Sequence, residues 1–397
     1  MPIELSVDLS NRYALVNEPT RVFFKITARA KGEKSETIGR IAPAIVMLID
    51  ASGSMRGNKI ETAKAAARDI LYLLPDGSYI NVIAFGLFRQ GGIESIGECF
   101  ELDDRCRSEL ERSVARLDAE DGTPLYAALT RALDIFRELR ARKGKEFPAR
   151  LYLLTDGIPT DVKDVTMYED LAKRLYSYGV ETVLLGIGDD YNEELLRKIA
   201  DASLGVVEHI SLEQLDHLRH LVKHYTEKAV HTVYRSVRLS ISVPPIDAIE
   251  VYSGGKVVES SSSSVIVDLG DLAEGDEIRI YGAIIVSPRK AIGRYVIGTI
   301  SIYSGENVLA SRQIELEFID NVDKLREGSR PEVASEAMAV AGLVRGDIDL
   351  VRRTLAMVKD EKLRRTLQLA VDAAGRGDRK TLTSAITKTL RGRVEGG

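Results

Sequence analysis

Asp50, Ser52 and Ser54 alternate with small residues in the stretch Asp50-Ala51-Ser52-Gly53-Ser54. One carboxylate and two hydroxyls at this spacing can turn toward a common centre. All are hard oxygen donors, with no imidazole or thiolate among them. Such a set suits Mg²⁺, which keeps several waters and takes few carboxylates, and Mn²⁺ is the alternative. Asp and Ser are also preferred helix N-caps, so Asp50 and Ser52 could instead only start the next helix.

Two later stretches carry matching chemistry. Asp121-Gly122-Thr123-Pro124-Leu125 sets a threonine between a glycine turn and a helical pattern. Leu151-Tyr152-Leu153-Leu154-Thr155-Asp156-Gly157 is an apolar run that ends in an aspartate. No histidine lies in these loops to act as a general base. The five histidines are His209, His217, His220, His224 and His231. His217, His220 and His224 share a helical face, but without adjoining acidic ligands that face reads as solvated surface.

The elements that must hold these residues are legible around them. Ala44–Ile49 is a short continuous apolar run, as a strand buried on both faces requires. Ile60, Ala63, Ala67, Ile70, Leu71 and Leu74 then mark one face of a helix. Asp50, Ser52 and Ser54 therefore belong to a strand-to-helix loop, expected to lie on the surface at the carboxyl end of a sheet, where open α/β sheets bind ligands. Further strands are expected at Tyr79–Phe85, Leu151–Thr155, Thr182–Ile187 and Val206–Ile210. Helices are expected between them, including Thr123–Arg142 and Asn192–Asp201, with a last one at about 211–229. That alternation implies a mostly parallel sheet with helices on both faces.

On these residues the region of roughly 42–230 resembles the von Willebrand factor A family and its metal-ion-dependent adhesion site. The resemblance implies that Asp50, Ser52, Ser54, Thr123 and Asp156 hold Mg²⁺, with an open position that a partner's carboxylate fills. It implies a recognition site rather than an active site.

The flanks read differently. Ile3, Leu5, Val7 and Leu9, then Val22, Phe24, Ile26 and Ala28, alternate as two strands across the turn Asn17-Glu18-Pro19-Thr20. Lys31 to Arg40 reads as a linker. From His231 to Asp320 period-2 runs return between turns such as Pro244-Pro245 and Glu274-Gly275-Asp276, which indicates a β-sandwich. The N-terminal strands find no partners in the central region and are expected to join this later sheet. After Pro331 four helical patterns follow. The expected layout is 1–40 strands of the sandwich, 41–230 the von Willebrand A domain, 231–320 the sandwich and 321–397 a helical domain. The fold class is α/β: a doubly wound, Rossmann-like domain inserted in an antiparallel β-sandwich, plus C-terminal helices. This order also resembles the trunk of Sec23/Sec24 vesicle-coat proteins in layout alone.

Composition sets bounds. With 397 residues the chain is long enough for two or three domains, and 44% hydrophobic and 29% charged residues describe an ordinary soluble protein. The net charge of −5 argues against general affinity for nucleic acid or an anionic membrane. The start lacks a signal-peptide pattern and no apolar run is long enough to span a bilayer, so a cytoplasmic location is expected. Cys99 and Cys106 are too few for a disulfide framework and lack the histidines of a zinc site.

Enzyme readings fit less well. The loop after the first strand lacks Gly-x-Gly-x-x-Gly, and no Walker loop is present. A haloacid-dehalogenase-type phosphatase would use Asp50 as nucleophile and an acidic pair such as Asp189-Asp190 for metal. It usually needs an acid where Ser52 stands.

The architecture further resembles archaeal von Willebrand A proteins that repress motility with a forkhead-associated (FHA) partner and are substrates of Ser/Thr kinases. The C-terminal segment Lys380 to Arg391 is rich in hydroxyls and basic residues. Thr381, Thr383, Ser384, Thr387 and Thr389 are the phosphorylation candidates, with Thr383, Thr387 and Thr389 expected to be more available than Thr381. The rival binding role is an adaptor for a MoxR-type AAA+ ATPase.

Overall fold

The computed structural model describes residues 3–31, 42–87, 92–143, 147–156, 158–188, 191–212 and 215–392, with only the backbone of Leu215 and His217. The segment expected as a linker, Lys31 to Arg40, lies outside these residues except for Lys31. The chain forms two compact units, one of residues 1–35 with 233–397 and one of residues 36–232.

The first unit opens with β1 (Ile3–Leu9), β2 (Tyr13–Leu15) and β3 (Thr20–Ala30). Alternate residues of β3, namely Val22, Phe24, Ile26 and Ala28, are fully buried, the period-2 pattern of a strand with one face on a core.

The second unit is a six-stranded sheet of β4 (Ala44–Asp50), β5 (Tyr79–Phe85), β6 (Ile93–Cys99), β7 (Ala149–Thr155), β8 (Val180–Ile187) and β9 (Val206–Ile210). Its order is β6-β5-β4-β7-β8-β9, and only β6 runs antiparallel. The helices are α1 (Asn58–Leu73), α2 (Asp104–Ala115), α3 (Leu125–Lys143), α4 (Val165–Ser177), α5 (Glu193–Ala202) and α6 (Leu215–Val230). β4 shows why its sequence is apolar without interruption. Ile45, Met47 and Ile49 face the layer of α1 and α6, while Ala44, Val46 and Leu48 face α3, α4 and α5. Both faces are covered, so no polar residue is tolerated before Asp50.

β6 escaped the sequence expectation. Its residues Ile93-Glu94-Ser95-Ile96-Gly97-Glu98-Cys99 are mostly half-exposed, because it is an edge strand and needs no continuous apolar run. Cys99 and Cys106 correct another expectation, since they form a disulfide. Asp103 accepts a hydrogen bond from Cys106 N at 2.7 Å as the N-cap of α2, and this turns Cys106 back toward the end of β6. Reduction is expected to cost this unit about 2 kcal/mol, the loop-closure entropy of so short a ring. A melt with and without reductant reads this out, and an unchanged midpoint with both thiols free would overturn the value.

After the second unit the chain returns to the sandwich with β10 (Thr232–Ser242), β11 (Ala248–Val251), β12 (Lys256–Ser260), β13 (Ser264–Ala273), β14 (Glu277–Val286), β15 (Gly293–Ser304) and β16 (Asn307–Ile319). One sheet is β1-β3-β14-β11 and the other β12-β13-β10-β15-β16-β2. β3 pairs with β14 from Arg29↔Glu277 to Thr20↔Val286. The α/β unit is thus inserted in sequence between strands of one sandwich, whose core joins Phe24 and Ile26 to Leu239, Ile280 and Ile300.

The C-terminal helices are α7 (Val322–Glu327), α8 (Pro331–Arg345), α9 (Ile348–Leu355), α10 (Glu361–Arg376) and α11 (Arg379–Leu390). Two Gly-Asp pairs divide them. Gly346 and Gly377 end α8 and α10 at φ 76° and 71°, and Asp347 and Asp378 then cap α9 and α11. α8 packs on β3 and β14, with Phe23 and Tyr281 in the shared core. Buried Glu336 accepts from Lys25 Nζ at 3.0 Å and from Asp360 N at 3.1 Å.

The expected availability of the tail threonines is corrected. Thr383, Thr387 and Thr389 are buried, Thr387 completely, whereas Thr381 and Ser384 are half-buried. Thr383 and Thr387 lie one turn apart with Ile386 on the face that packs toward α10 and α8. The Thr387 hydroxyl donates to Ser384 O at 3.1 Å, which satisfies it locally inside the helix.

Candidate metal centre

Asp50 is the last residue of β4, and Asp156 follows the last residue of β7, its neighbour. From β4 the chain continues to β5 on one side, and from β7 it continues to β8 on the other. The two aspartates therefore flank the switch point of the sheet, outside the carboxyl ends of its strands. The expectation of a surface loop is corrected at Asp50, which is fully buried, and Asp156 is 1% exposed. Central strands on either side enclose Asp50. A single 3₁₀ turn, Gly53–Met55, drops Met55 into the core beneath it.

Hydrogen bonds run from one aspartate to the other. Asp50 Oδ1 accepts from Ser52 N at 2.9 Å, and its Oδ2 accepts from the Thr155 hydroxyl at 2.5 Å. Ser52 Oγ and Ser54 Oγ share a hydrogen bond of 3.0 Å, and Ser54 Oγ donates to Asp156 Oδ1 at 2.8 Å. Lys59 Nζ is ion-paired with Asp156 Oδ2. Helix capping does not account for this arrangement. α1 begins at Asn58 behind Gly57, with no side-chain cap, and Ser52 caps no backbone group of the 3₁₀ turn.

The loop that carries Thr123 is tied by backbone hydrogen bonds to the end of β4 and to Gly86. Glu120 N donates to Ala51 O at 2.7 Å, and Asp121 N donates to Gly86 O at 2.9 Å. On the other side Thr123 N donates to the Thr160 hydroxyl at 2.8 Å, and Thr160 N donates to Thr123 O at 3.0 Å. Asp161 accepts from Ala127 N in the first turn of α3 at 3.0 Å. Gly86 sits where the loops meet, at φ 95°. A Cβ there would stand 2.7 Å from Ser52 N and 2.8 Å from Gly122 O, so only glycine lets the loops close.

The charge balance favours a cation. Burial pushes the Asp50 carboxyl up to about 6, and nearby Asp156 adds to the rise, against hydrogen bonds from Thr155 and Ser52. Among the described residues no three His, Cys, Asp or Glu side chains cluster as metal ligands. A metal here would rest on two carboxylates, hydroxyls and water, which is the magnesium pattern. Ser54 is the exposed member and opens the cluster to solvent. The acidic pair required by a phosphatase, Asp189-Asp190, lies outside the described residues.

Sequence reading missed Thr155, Lys59, Thr160 and Gly86. Lys59 did leave a trace: a lysine in the first turn of a helix opposes the helix dipole.

The model of the von Willebrand factor type A domain family matches residues 44–221, the stretch that carries this sheet and this centre. The uncharacterised protein sll0103 of Synechocystis sp. is 26% identical over 311 residues, or 76% of this chain and 70% of that protein. Two solved structures share the fold over the whole chain. The von Willebrand factor type A protein from Catenulispora acidiphila has a TM-score of 0.72 at 18% identity, covering 100% of this chain and 97% of that one. The ArnB paralog VWA2 from Sulfolobus acidocaldarius has a TM-score of 0.62 at 21% identity, covering 100% of both. No helix among the described residues is long and apolar enough to cross a membrane.

Proposed function

We propose that this chain is a non-enzymatic, divalent-cation-dependent interaction protein in which Asp50, Ser52, Ser54, Thr123 and Asp156 hold Mg²⁺, with Mn²⁺ as substitute. The observation that carries this reading is the hydrogen-bonded run from Asp50 through Ser52 and Ser54 to Asp156 at the switch point. Two carboxylates and neutral hydroxyls leave a divalent ion enough positive field to attract an outside carboxylate. What this chain's residues do is hold the ion and orient its open side. Thr155 fixes the Asp50 carboxylate, and Thr160 fixes the Thr123 loop.

Within that reading the partner is an FHA-domain protein, and Ser/Thr phosphorylation regulates the pair, as in archaeal motility repression. The whole-chain fold likeness to the ArnB paralog supports the layout. Thr381 and Ser384, the less buried hydroxyls of α11, are the sites assigned to the kinase. The test is retention of a purified FHA-domain protein on the kinase-treated chain, in Mg²⁺ and in chelator. Retention lost in chelator and in Asp50→Asn is expected. Retention equal in all three conditions would overturn the metal-dependent reading.

A further inference from the structure

Lys59 occupies the first turn of α1, where the helix dipole disfavours a cation. It gains an ion pair with Asp156 Oδ2, the oxygen that Ser54 does not use. The Lys59 side chain is 16% exposed and that of Asp156 is 0% exposed, so the pair is shielded from water. The stem also runs close against a glycine. At Gly188, φ 76°, a Cβ would stand 2.9 Å from Lys59 Cε. The ammonium is therefore built into the centre from two sides.

Its charge changes what the centre can do. Among the described residues, two carboxylates and one ammonium leave the metal-free cluster at −1, and a divalent ion takes it to +1. Without Lys59 the loaded cluster would be neutral. We propose that Lys59 sets the loaded centre at a net positive charge, weakening its hold on the metal while strengthening its hold on an external carboxylate. This rests on the reading that the five residues bind Mg²⁺. The ammonium already compensates buried Asp156 and repels the incoming ion, so both effects lower metal affinity. An acidic side chain from a partner then brings the cluster to neutrality and relieves that repulsion. Metal and acidic partner consequently bind with positive coupling, each strengthening the other by the same factor. Lys59 acts as a specificity-determining residue for acidic partners, through charge and not through contact.

The test uses the full chain, with Mg²⁺ titrated by calorimetry and acetate titrated by NMR into the Mg²⁺-saturated protein. Lys59→Met is expected to bind Mg²⁺ about tenfold more tightly and acetate at least about threefold more weakly than the wild type. Lys59→Gln should do the same, which guards against a misfolded first variant. Lys59→Arg, which keeps the charge, should match the wild type in both titrations. If the wild type binds Mg²⁺ but the neutral variants bind it equally or more weakly, the proposal for Lys59 is overturned and the metal reading stands. Acetate affinity that ignores the substitution overturns it too, as does an arginine variant that behaves like methionine. If the wild type takes up no Mg²⁺, the metal reading itself falls and Lys59 falls with it.

Discussion

In chelator at pH 7.5, Asp50→Asn is expected to melt about 5 °C above the wild type, and in Mg²⁺ that advantage should disappear. The reason is the buried carboxylate. Burial lifts the Asp50 carboxyl from 3.8 to about 6, which costs the metal-free fold about 3 kcal/mol once both states are ionised. The sign follows from the direction of the shift. Below about pH 4 the group is protonated in folded and unfolded chains alike, and nothing is lost. As pH rises from about 4 through 6 the unfolded chain ionises first, and stability falls. Above about 6 the full cost is present. Asparagine keeps the shape, accepts from Ser52 N and donates to a rotated Thr155 hydroxyl, without the charge. A bound ion reverses the balance for the wild type alone, by about 2.7 kcal/mol at one hundred times Kd. Melting curves at pH 4.5 and 7.5, with chelator and with Mg²⁺, supply the four values. An Asp50→Asn protein that gains the same Mg²⁺ shift as the wild type would remove Asp50 from the metal centre.

What the sequence revealed depended on how strictly each position is constrained. The strand Ala44–Asp50 was legible because a central parallel strand must be apolar on both faces, and its end must hold the first polar group. Gly346 and Gly375–Gly377 were legible as breaks between helices, but the capping roles of Asp347 and Asp378 after them emerge only in the structure. β6 was hidden, since an edge strand with Gly97 and two glutamates obeys no simple alternation. The tail threonines were misjudged because threonine counts as polar in a pattern. Yet its hydroxyl can turn back onto its own helix and bury the methyl, as Thr387 does. The Asp50, Ser52 and Ser54 spacing marked the centre, but not that Ser54 would bond to Asp156, about a hundred residues later. Thr155 was silent for the same reason, and Lys59 showed only its misplaced charge in a first helical turn: their roles come from the closure of the sheet.

Removing residues 1–30 is expected to unfold the sandwich unit and leave the metal-binding unit folded, although the metal-binding unit separates those residues from the rest of the sandwich in sequence. β3 is an interior strand of its sheet, with β1 on one side and β14 on the other. Its loss uncovers the strand-pairing edge of β14 and deletes Val22, Phe24 and Ile26 from the core, while Ile3 goes with β1. At about 1.5–3 kcal/mol for each large side chain, that is roughly 8 kcal/mol of apolar burial. A domain's whole stability is about 5–15 kcal/mol, so the unit has little left to fold with. Loss of Phe23 also takes a contact from the α8 layer. The α/β unit keeps every strand of its own sheet, from Ala44 to Ile210, and should still bind Mg²⁺. Limited trypsin digestion of the shortened chain should therefore consume residues 233–397 quickly and spare a fragment close to 42–232. Phe24→Ala in the full chain should weaken the same unit by about 3–5 kcal/mol and leave the Mg²⁺ titration unchanged. Equal melting and equal protease resistance for chains 1–397 and 31–397 would show that β1 and β3 are dispensable to the sandwich, and the inserted arrangement would be wrong.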